Sequence, residues 1–363
     1  MACESESGLL IGGLLVVGVV EGHSDIMVDV CARRLRGEHR ALQTRHVPRL
    51  RRGGVNVQFL MVGGDAPVLT GDSPDPDAFA EALYALDTFY AELDEGANEI
   101  AVILSATDLD VLEPGEKIKF VLHLEGSRPF GADLALLRTL FRLGVRSVGL
   151  AWNHANEVSD SCMDSRGAGL SDFGRSVIAE MNRLGIIVDI SHLSDQGVLD
   201  VLEVTSRPVV ASHCNARAIC NSRRNLTDEQ IKGIAGTGGV IGVCFYPPMV
   251  KNNGFVSVDD VLNHVDYLAK LVGTQHIGIG PDFIDYVPEA WLDSAPLAPF
   301  REDFRRPFPS GLEDVTRIPN LLTGLSARGY SDEDLANISH ANFLRVMQAC
   351  LPDAAERGAV RHG

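Results

Sequence analysis

Eight short apolar runs, separated by longer amphipathic stretches, are the feature that most constrains the fold of this chain. Runs of Val, Ile and Leu without polar alternation are typical of parallel strands buried on both faces. Two of the intervening stretches carry helix signals: Ser171-Asp172 begins a helix that ends at Leu184 before Gly185, and Thr227 with Gln230 forms a capping box, with Gly236 as a stop. The runs are 15–20, 55–62, 120–124, 147–150, 186–190, 208–211, 240–245 and 276–279. This alternation predicts an α/β fold, a closed (β/α)8 TIM barrel.

The chain of 363 residues has the length of one such barrel. We expect a single domain over 1–363, with a short N-terminal extension (1–14) and a polar C-terminal tail (352–363). The apolar segment 8–20 has no basic residue ahead of it and is too short to span a bilayer, so we interpret it as a buried hairpin or strand. Segment 288–311, rich in Pro, Asp and Arg, is predicted to be a long loop after the eighth strand, and loops of that length usually carry function.

Charge and cysteine content narrow the classes of partner. A net charge of −17 argues against a nucleic-acid partner. The seven cysteines are odd in number and contain no CxxC pair, which favours a reduced, cytoplasmic setting. We therefore expect a small-molecule substrate, no nucleic acid and no membrane, with a homodimer left open. Segment 33–52 holds eight Arg and one acidic residue; it is either a solvated helix and loop or a site for an anionic partner.

Potential metal ligands follow several of the apolar runs. Strand ends of a barrel converge on one mouth, so these side chains are expected to become neighbours although they are remote in sequence. Histidine and carboxylate ligands suit divalent ions such as Zn²⁺, and a bridging carboxylate suits a pair of them. Two cations about 3.5–4 Å apart activate a shared water, which gives hydrolysis without a protein nucleophile. The residues are His23, Asp25, Glu125, His192, His213 and Asp282.

Taken one at a time, these residues have ordinary alternative explanations, which their convergence at one rim makes weaker. A lone histidine at a strand end is more often a core or loop residue, and His123 is predicted to be one inside the barrel. Cys214, beside His213, would need its own base and oxyanion hole to act as a nucleophile. No GxSxG or Walker motif is present, and the glycines near the start do not form a dinucleotide fingerprint.

At the level of motifs the chain resembles the membrane (renal) dipeptidase family of binuclear zinc peptidases, within the amidohydrolase superfamily. The resemblance extends over about residues 15 to 350 and is closest to bacterial-type members. The matching stretches are Gly22-His23-Ser24-Asp25, Pro48-Arg49-Leu50-Arg51-Arg52-Gly53-Gly54-Val55, Glu125-Gly126, Asp133 to Arg138, Leu170 to His192, Ala211-Ser212-His213-Cys214-Asn215-Ala216-Arg217, Arg223 to Asp228, Gly278-Ile279-Gly280-Pro281-Asp282-Phe283 and Gly329-Tyr330 to Val346.

Position by position, the resemblance implies a role for each candidate. His23 and Asp25 would bind one ion, His192 and His213 the other, and Glu125 would bridge both. Asp282 would lie beside the bridging hydroxide, as a proton shuttle or as a partner for the amino group of the substrate. Arg224 would pair with the free carboxylate of the substrate, a task that suits a guanidinium fork; the alternative for Arg224 is a structural ion pair.

Two departures from the family pattern bear on specificity. The mammalian enzymes carry a substrate-contacting His just after the fourth strand, whereas this chain reads Ala151-Trp152-Asn153-His154. We retain His154 as a candidate substrate contact, with an ordinary loop histidine as the alternative. The family's Asp-Phe-Asp-Gly reads Asp282-Phe283-Ile284-Asp285, so substrate preference is expected to differ.

The resulting prediction is a cytoplasmic dipeptidase that depends on two Zn²⁺ ions, other divalent ions being open, with Glu125 and Asp282 as catalytic residues. The substrates would be L-L dipeptides, with L-D dipeptides left open. The alternatives are another amidohydrolase specificity, namely N-acyl-amino-acid, lactone or biosynthetic Cys-Gly cleavage, and a non-catalytic binding homologue.

Overall fold

A computed structural model of the chain describes residues 9–11, 14–16, 18–69, 77–109, 117–292, 297 and 300–356. The strands are β1 (Leu9–Ile11), β2 (Leu14–Val16), β3 (Val19–Ser24), β4 (Val55–Gly64), β5 (Ile100–Val102), β6 (Ile118–Glu125), β7 (Val145–Gly149), β8 (Ile187–Asp189), β9 (Val210–Ala211), β10 (Val240–Val243) and β11 (Ile277–Ile279). The α-helices are α1 (Ile26–Leu35), α2 (Val47–Arg52), α3 (Ala78–Glu95), α4 (Leu134–Arg142), α5 (Asp172–Leu184), α6 (Asp195–Val204), α7 (Asp228–Gly236), α8 (Pro247–Val250), α9 (Val258–Val272), α10 (Glu289–Leu292), α11 (Arg301–Phe304), α12 (Ile318–Ala327), α13 (Asp332–Ala336) and α14 (Asn342–Cys350).

Eight parallel strands close into a barrel. Their order is β4-β3-β11-β10-β9-β8-β7-β6, and β6 returns to β4, with Phe59 beside Val121. Helices lie between successive strands and cover the outer face of the barrel with a continuous apolar layer. The predicted (β/α)8 TIM barrel is therefore confirmed.

The amino-terminal end of the barrel is closed by α14. Phe343 and Met347 pack among the inward side chains of the strands, among them Val57 and Val121. A Cβ atom built on Gly278 would lie 2.3 Å from the Phe343 ring, so a strand position without a side chain is what admits this ring. The bottom of the barrel is thus a packed core, which leaves the carboxyl ends of the strands for chemistry.

Each of the eight predicted runs overlaps a strand of the barrel, with two differences between prediction and structure. The first strand begins at Val19 rather than at residue 15, because 14–16 instead pairs antiparallel with 9–11 in a hairpin. The hairpin interpretation of segment 8–20 is thereby confirmed where that segment is described. The sequence prediction missed β5, which pairs with the start of β6.

The helix signals are confirmed at both positions. Ser171 caps α5 through the amide of Gly174, and Gly185 ends it in the left-handed conformation at φ 80°. Thr227 and Gln230 form the predicted capping box of α7. Gly236, expected as the stop, is the last helical residue, and Thr237 follows as the cap.

The arginine-rich segment 33–52 folds as helices that pair with acidic neighbours. Arg33 contacts Asp29 at 2.9 Å within α1, and Arg34 contacts Glu95 of α3 at 3.0 Å. Arg40 contacts Glu99 at 3.0 Å. These ion pairs support the structural interpretation of the segment over a site for an anionic partner.

The remaining sequence predictions concern chain segments at the edges of the described structure. Segment 288–311 contains α10 and α11, and its residues 293–296 and 298–299 lie outside the described residues. Of the N-terminal extension only 9–11 and 14 are described, and of the polar tail only 352–356. None of the helices in the described part of the chain has both the length and the apolar character needed to span a membrane.

Candidate metal centre

The five predicted metal ligands meet at the carboxyl ends of the strands. His23 lies in β3 with Asp25 just after it, Glu125 is the last residue of β6, and His192 and His213 follow β8 and β9. All five are buried, and none is more than 7% exposed. Parallel strands that end at the same rim bring these side chains together, as the sequence predicts.

Glu125 is the centre of the cluster. Its Oε1 lies 3.0 Å from His192 Nε2 and 3.5 Å from both His213 Nε2 and His23 Nε2. His23 Nε2 is also 3.3 Å from Asp25 Oδ1 and 3.8 Å from Asp282 Oδ1. One carboxylate therefore faces three imidazoles, and the Nε2 atom of His23 faces three carboxylates.

The ring orientations of His192 and His213 are set by partners on their Nδ1 atoms. His192 Nδ1 lies 3.1 Å from Asn153 Oδ1, to which we assign a donated N–H. His213 Nδ1 lies 2.8 Å from Ser212 Oγ, and the Ser212 hydroxyl donates to Asp189 Oδ2 at 2.5 Å. The serine oxygen must then accept from His213, so both histidines turn a bare Nε2 towards the cluster, which is the tautomer that binds metals.

Burial and charge give the cluster its titration behaviour. Burial lowers the pKa of His192 and His213 well below its usual range, which keeps both imidazoles neutral. Burial raises the pKa of Glu125 well above normal and that of Asp282 to about 6. For His23, burial opposes the proton but is outweighed by the charges of Glu125 and Asp25, so its pKa rises to about 10. Once ionised, the carboxylates therefore favour a positive charge beside them, as the raised pKa of His23 indicates.

These residues fit divalent metal. Both ring nitrogens of His23 and Oδ1 of Asp25 are buried and lack hydrogen-bond partners among the described residues, a costly state unless a cation is bound. The bare Nε2 atoms of His192 and His213 are only 2.9 Å apart. Two groups of potential ligand atoms lie within 4.8 Å of one another: His23, Glu125 and His213, and His23, Asp25 and Asp282. Nitrogen and carboxylate donors are the set that borderline divalent ions prefer.

Backbone strain is concentrated at the same place. Four non-glycine residues of the described chain have left-handed backbone, and three of them are Asn153 (φ 55°), His192 (φ 70°) and Asp282 (φ 60°). Non-glycine residues adopt this conformation at an energetic cost that the surrounding structure must overcome, and such residues cluster at functional sites. Here the unusual turns aim three polar side chains into the mouth of the barrel.

A cleft of about 800 Å³, including its open mouth, lies directly over the cluster. Asp25, Glu125, His192 and Asp282 form part of its lining, and so does Arg224. The Nη2 atom of Arg224 is buried and has no hydrogen-bond partner within the described residues. The cleft therefore combines a cation site with a cationic side chain that is able to receive an anionic group.

A sequence profile described as membrane dipeptidase, peptidase family M19, matches residues 15–357. The chain belongs to this family. Dipeptidase 3 of Mus musculus is 29% identical over 342 residues, which are 91% of this chain and 64% of the mouse protein, so the chain spans about two thirds of that relative. Dipeptidase aclJ of Aspergillus oryzae is 29% identical over 347 residues, covering 91% of this chain and 78% of the fungal protein.

Solved structures agree with the family assignment. A metallopeptidase of family M19 called dipeptidase AC superposes with a TM-score of 0.75 at 26% identity, over 95% of this chain and 100% of that one. A metallopeptidase of Rhodobacter sphaeroides, liganded with a phosphinate mimic of the dipeptide L-Ala-D-Ala, gives a TM-score of 0.76 at 24% identity over 92% of this chain and 99% of that one; it supports the fold. Membership of the M19 metallopeptidases implies a divalent metal, for which this chain has the residues described above.

Three residues considered in the sequence take different places in this family member. His154 is not brought to the cleft: its side chain is 69% exposed, and it lies 3.8 Å from Asp164 in a separate surface depression. His123 is fully buried in the barrel, as predicted, and its Nδ1 lies 3.0 Å from Ser147 Oγ. Burial raises the pKa of the Cys214 thiol to about 11, which keeps it protonated and argues against a nucleophile.

The sequence analysis did not single out the aromatic side chains that line the cleft, or Asn153 and Asp189. The aromatic residues are Trp152, Tyr246, Trp291, Phe300 and Phe304. Three of them lie in segment 288–311, and the length of that segment was the sequence signal that it carries function. Asn153 and Asp189 act through the histidines and carry no motif signal that points to such a role.

Proposed function

We propose that this protein is a metal-dependent dipeptidase that hydrolyses the single peptide bond of dipeptides with free termini. The observation that carries the proposal is the contact of the Glu125 carboxylate with three imidazoles inside a cleft that Arg224 also lines. The names of the relatives, several of them dipeptidases, support the same activity.

We propose a pair of Zn²⁺ ions as the resident metal. His23 and Asp25 would hold one ion, His192 and His213 the other, and Glu125 both. A pair of divalent ions supplies an activated water at neutral pH and polarises the carbonyl that is attacked. Asn153 and the Ser212–Asp189 pair keep the Nε2 atoms of His192 and His213 aimed at the site.

The other side chains of the cleft would bind and orient the substrate. The Arg224 guanidinium, with a buried and unsatisfied Nη2, would take the carboxylate of the substrate. Asp282, whose pKa burial raises to about 6, can take up a proton from the attacking water and pass it to the departing amine. Recognition of both termini would restrict the enzyme to dipeptides.

The central test is hydrolysis of a substrate panel by metal-loaded protein with its metal content measured. We expect turnover of dipeptides, loss of turnover on chelation and its return with Zn²⁺. Glu125→Gln should abolish turnover with the fold retained, whereas Glu157→Gln, an exposed carboxylate outside the cleft, should not. Turnover of N-acyl amino acids or lactones in preference to any dipeptide would contradict the proposal, as would activity that survives complete metal removal.

The Arg224 role has a separate test. Arg224→Ala should raise KM for dipeptides with a smaller effect on kcat, because the guanidinium binds a group that does not react. Dipeptides with an amidated C-terminus should be poor substrates of the unaltered enzyme. Equal kcat/KM for a dipeptide and its C-terminal amide would rule out this role.

We also propose a reducing, cytoplasmic location. The six cysteines of the described chain are all free thiols, buried within the fold, as is usual where glutathione keeps proteins reduced. Fractionation of the native cells would test this.

A further inference from the structure

Five aromatic side chains form a roof over the cleft. Trp291, Phe300 and Phe304 come from the segment after β11, and they contact Trp152 after β7 and Tyr246 after β10. The ring centroids are 6.2 Å apart for Trp152 and Phe300, 6.4 Å for Phe300 and Phe304, 5.7 Å for Tyr246 and Phe304, and 6.2 Å for Trp291 and Phe304. The roof therefore reaches across the mouth of the barrel between loops that are distant in the strand order.

The roof is attached to the barrel on two sides. The Trp291 indole is almost fully buried and donates a hydrogen bond of 2.7 Å to the carbonyl of Pro67, which follows β4. On the other side, Arg306 Nη2 donates to the carbonyl of Lys251, after α8, at 3.2 Å. An aromatic surface held in this way meets a ligand without first having to be ordered.

The position of the roof decides what it can contact. The termini of a dipeptide would be taken by Arg224 and by the metal cluster with Asp282, all on the barrel side of the cleft. Its side chains must then project towards the mouth, where they meet the aromatic rings together with Met249 and Ile284. Asp303, from the same segment as Phe300 and Phe304, also lines the cleft, and its carboxylate repels an acidic side chain.

We infer that this roof selects dipeptides that carry a large apolar side chain, aromatic or branched aliphatic, and disfavours acidic ones. The inference deepens the proposed dipeptidase function and rests on it. An apolar pocket discriminates by the apolar surface it removes from water, and one methylene group alone changes kcat/KM by about 10-fold or more.

The first experiment compares kcat/KM of the metal-loaded enzyme for L-Ala-L-Ala, L-Phe-L-Ala, L-Ala-L-Phe, L-Asp-L-Ala and L-Ala-L-Asp. At least one phenylalanine dipeptide should exceed L-Ala-L-Ala by about 10-fold or more, and both aspartate dipeptides should fall below it. Hydrolysis of all five at similar kcat/KM would overturn the inference and leave the dipeptidase function standing. Hydrolysis of none would instead contradict the proposed function.

The second experiment assigns the selectivity to the roof. Phe304→Ala should remove most of the preference for phenylalanine over alanine dipeptides. Phe308→Ala is the matched control, because Phe308 belongs to the same segment but packs on Phe283, with ring centroids 5.3 Å apart, and does not line the cleft. An equal loss of preference in both variants would mean that the segment acts through its stability, which contradicts direct contact.

A binding measurement decides the inference without turnover. Both tryptophans of the chain, Trp152 and Trp291, line the cleft, so intrinsic fluorescence reports a ligand there. Phosphinate analogues of L-Phe-L-Ala and L-Ala-L-Phe should bind the metal-loaded protein more tightly than the analogue of L-Ala-L-Ala, and Phe304→Ala should narrow the difference. Equal affinities for the three analogues would overturn the inference.

Discussion

The hydrogen-bond partners of His192 and His213, the proposed ligands, determine which nitrogen of each ring would be available to a metal. Ser212 connects His213 to the buried carboxylate of Asp189. The same barrel interior contains a second serine–histidine pair, Ser147 with His123. Among the described residues, His123 belongs to neither of the two groups that could hold a metal ion. The two pairs are similar in burial and chemistry but differ in the function that we propose for them. They form a natural comparison.

Ser212→Ala should weaken metal binding by about 10- to 100-fold, because His213 loses the acceptor that fixes its tautomer. Competition with a chelator of known affinity measures the change, and circular dichroism checks the fold. Ser147→Ala, which alters only the partner of His123, should leave metal affinity within about threefold of the unaltered protein. Equal effects of the two variants would mean that general packing, rather than the tautomer of a ligand, is responsible.

His154→Ala should leave kcat/KM for dipeptides nearly unchanged, because its side chain is 69% exposed and lies outside the cleft. Surface substitutions away from a site ordinarily have effects within about 0.5 kcal/mol, or a little over twofold. Steady-state kinetics on one good and one poor dipeptide would measure this. A large rise in KM would restore the role predicted for His154 and show that its loop moves on binding.

The contrast between His154 and its neighbour explains where prediction from single residues stops. The proposed ligands could be predicted because each lies at the end of a strand or just after it, and the strand ends must lie at the rim. His154 lies five residues beyond Gly149, the end of β7, where the strand no longer fixes the direction of the chain. The left-handed backbone of Asn153 turns that side chain onto His192 and leaves His154 outside the cleft. Such a turn depends on tertiary contacts that have no local sequence signal.

At the scale of elements, the loop that carries Asp282 contacts helix α2 and the end of strand β3. Asp285 forms an ion pair with Arg49 of α2, and the Tyr286 hydroxyl accepts a hydrogen bond of 3.0 Å from the backbone amide of Asp25. Arg49 belongs to the Pro48-to-Val55 motif, whose structural role was not evident from the sequence. In the structure, this motif forms α2, and its Arg49 anchors the loop after β11.

Disrupting this connection should lower kcat, because Asp282 is three residues from the ion pair and needs a fixed position to transfer a proton. Arg49→Ala and Asp285→Ala should each lower kcat and the free energy of unfolding. The double variant should be less destabilised than the sum of the two, with a coupling of about 0.5–3 kcal/mol. Urea denaturation of all four proteins measures the coupling, and additive effects would show that the pair does not act as a unit.

Elements differed in how well the sequence predicted them. The barrel strands could be predicted because eight short, continuous apolar runs are typical of parallel strands that are buried on both faces. Strand β5 escaped because Ile100–Val102 is short and adds to the outside of the barrel cycle rather than closing it. The aromatic roof was not predicted because its rings come from loops and from the four-residue helices α10 and α11, which are too short for periodicity to relate sequence to contact.

For the whole molecule, the buried neutral histidines make a loss of stability below about pH 6.5 the expected effect of acid. His264 is fully buried and neutral, with Nε2 donating to the Val250 carbonyl at 3.0 Å and Nδ1 accepting from the Ala216 amide at 3.3 Å. Burial outweighs the hydrogen bond to Val250 and the charge of Asp260, so the pKa of His264 is lowered. The pKa values of His46 and His340 are lowered in the same direction, chiefly by burial.

A histidine with a lowered folded pKa takes up its proton on unfolding, so its contribution to stability is complete above the unfolded pKa of about 6.5 and is lost as the pH falls below it. These histidines should therefore lower the free energy of unfolding of the metal-free protein between pH 7 and 5, whereas a carboxyl group with a raised pKa, such as Asp282, acts in the opposite direction. Each such histidine contributes up to about 1.4 kcal/mol per pH unit. His264→Asn should reduce the slope by about one proton, and urea titrations at several pH values measure it. An unchanged slope in the variant would show that His264 protonates in the folded protein.

The left-handed residues at the rim have a practical consequence for anyone who would engineer this barrel. Glycine at 153 or 282 would relax the backbone and favour the folded chain, yet it would delete a side chain aimed into the mouth. Selection for thermal stability alone would therefore favour variants that are more stable but have lost activity. Screens on this scaffold need to couple thermal challenge with turnover from the first round.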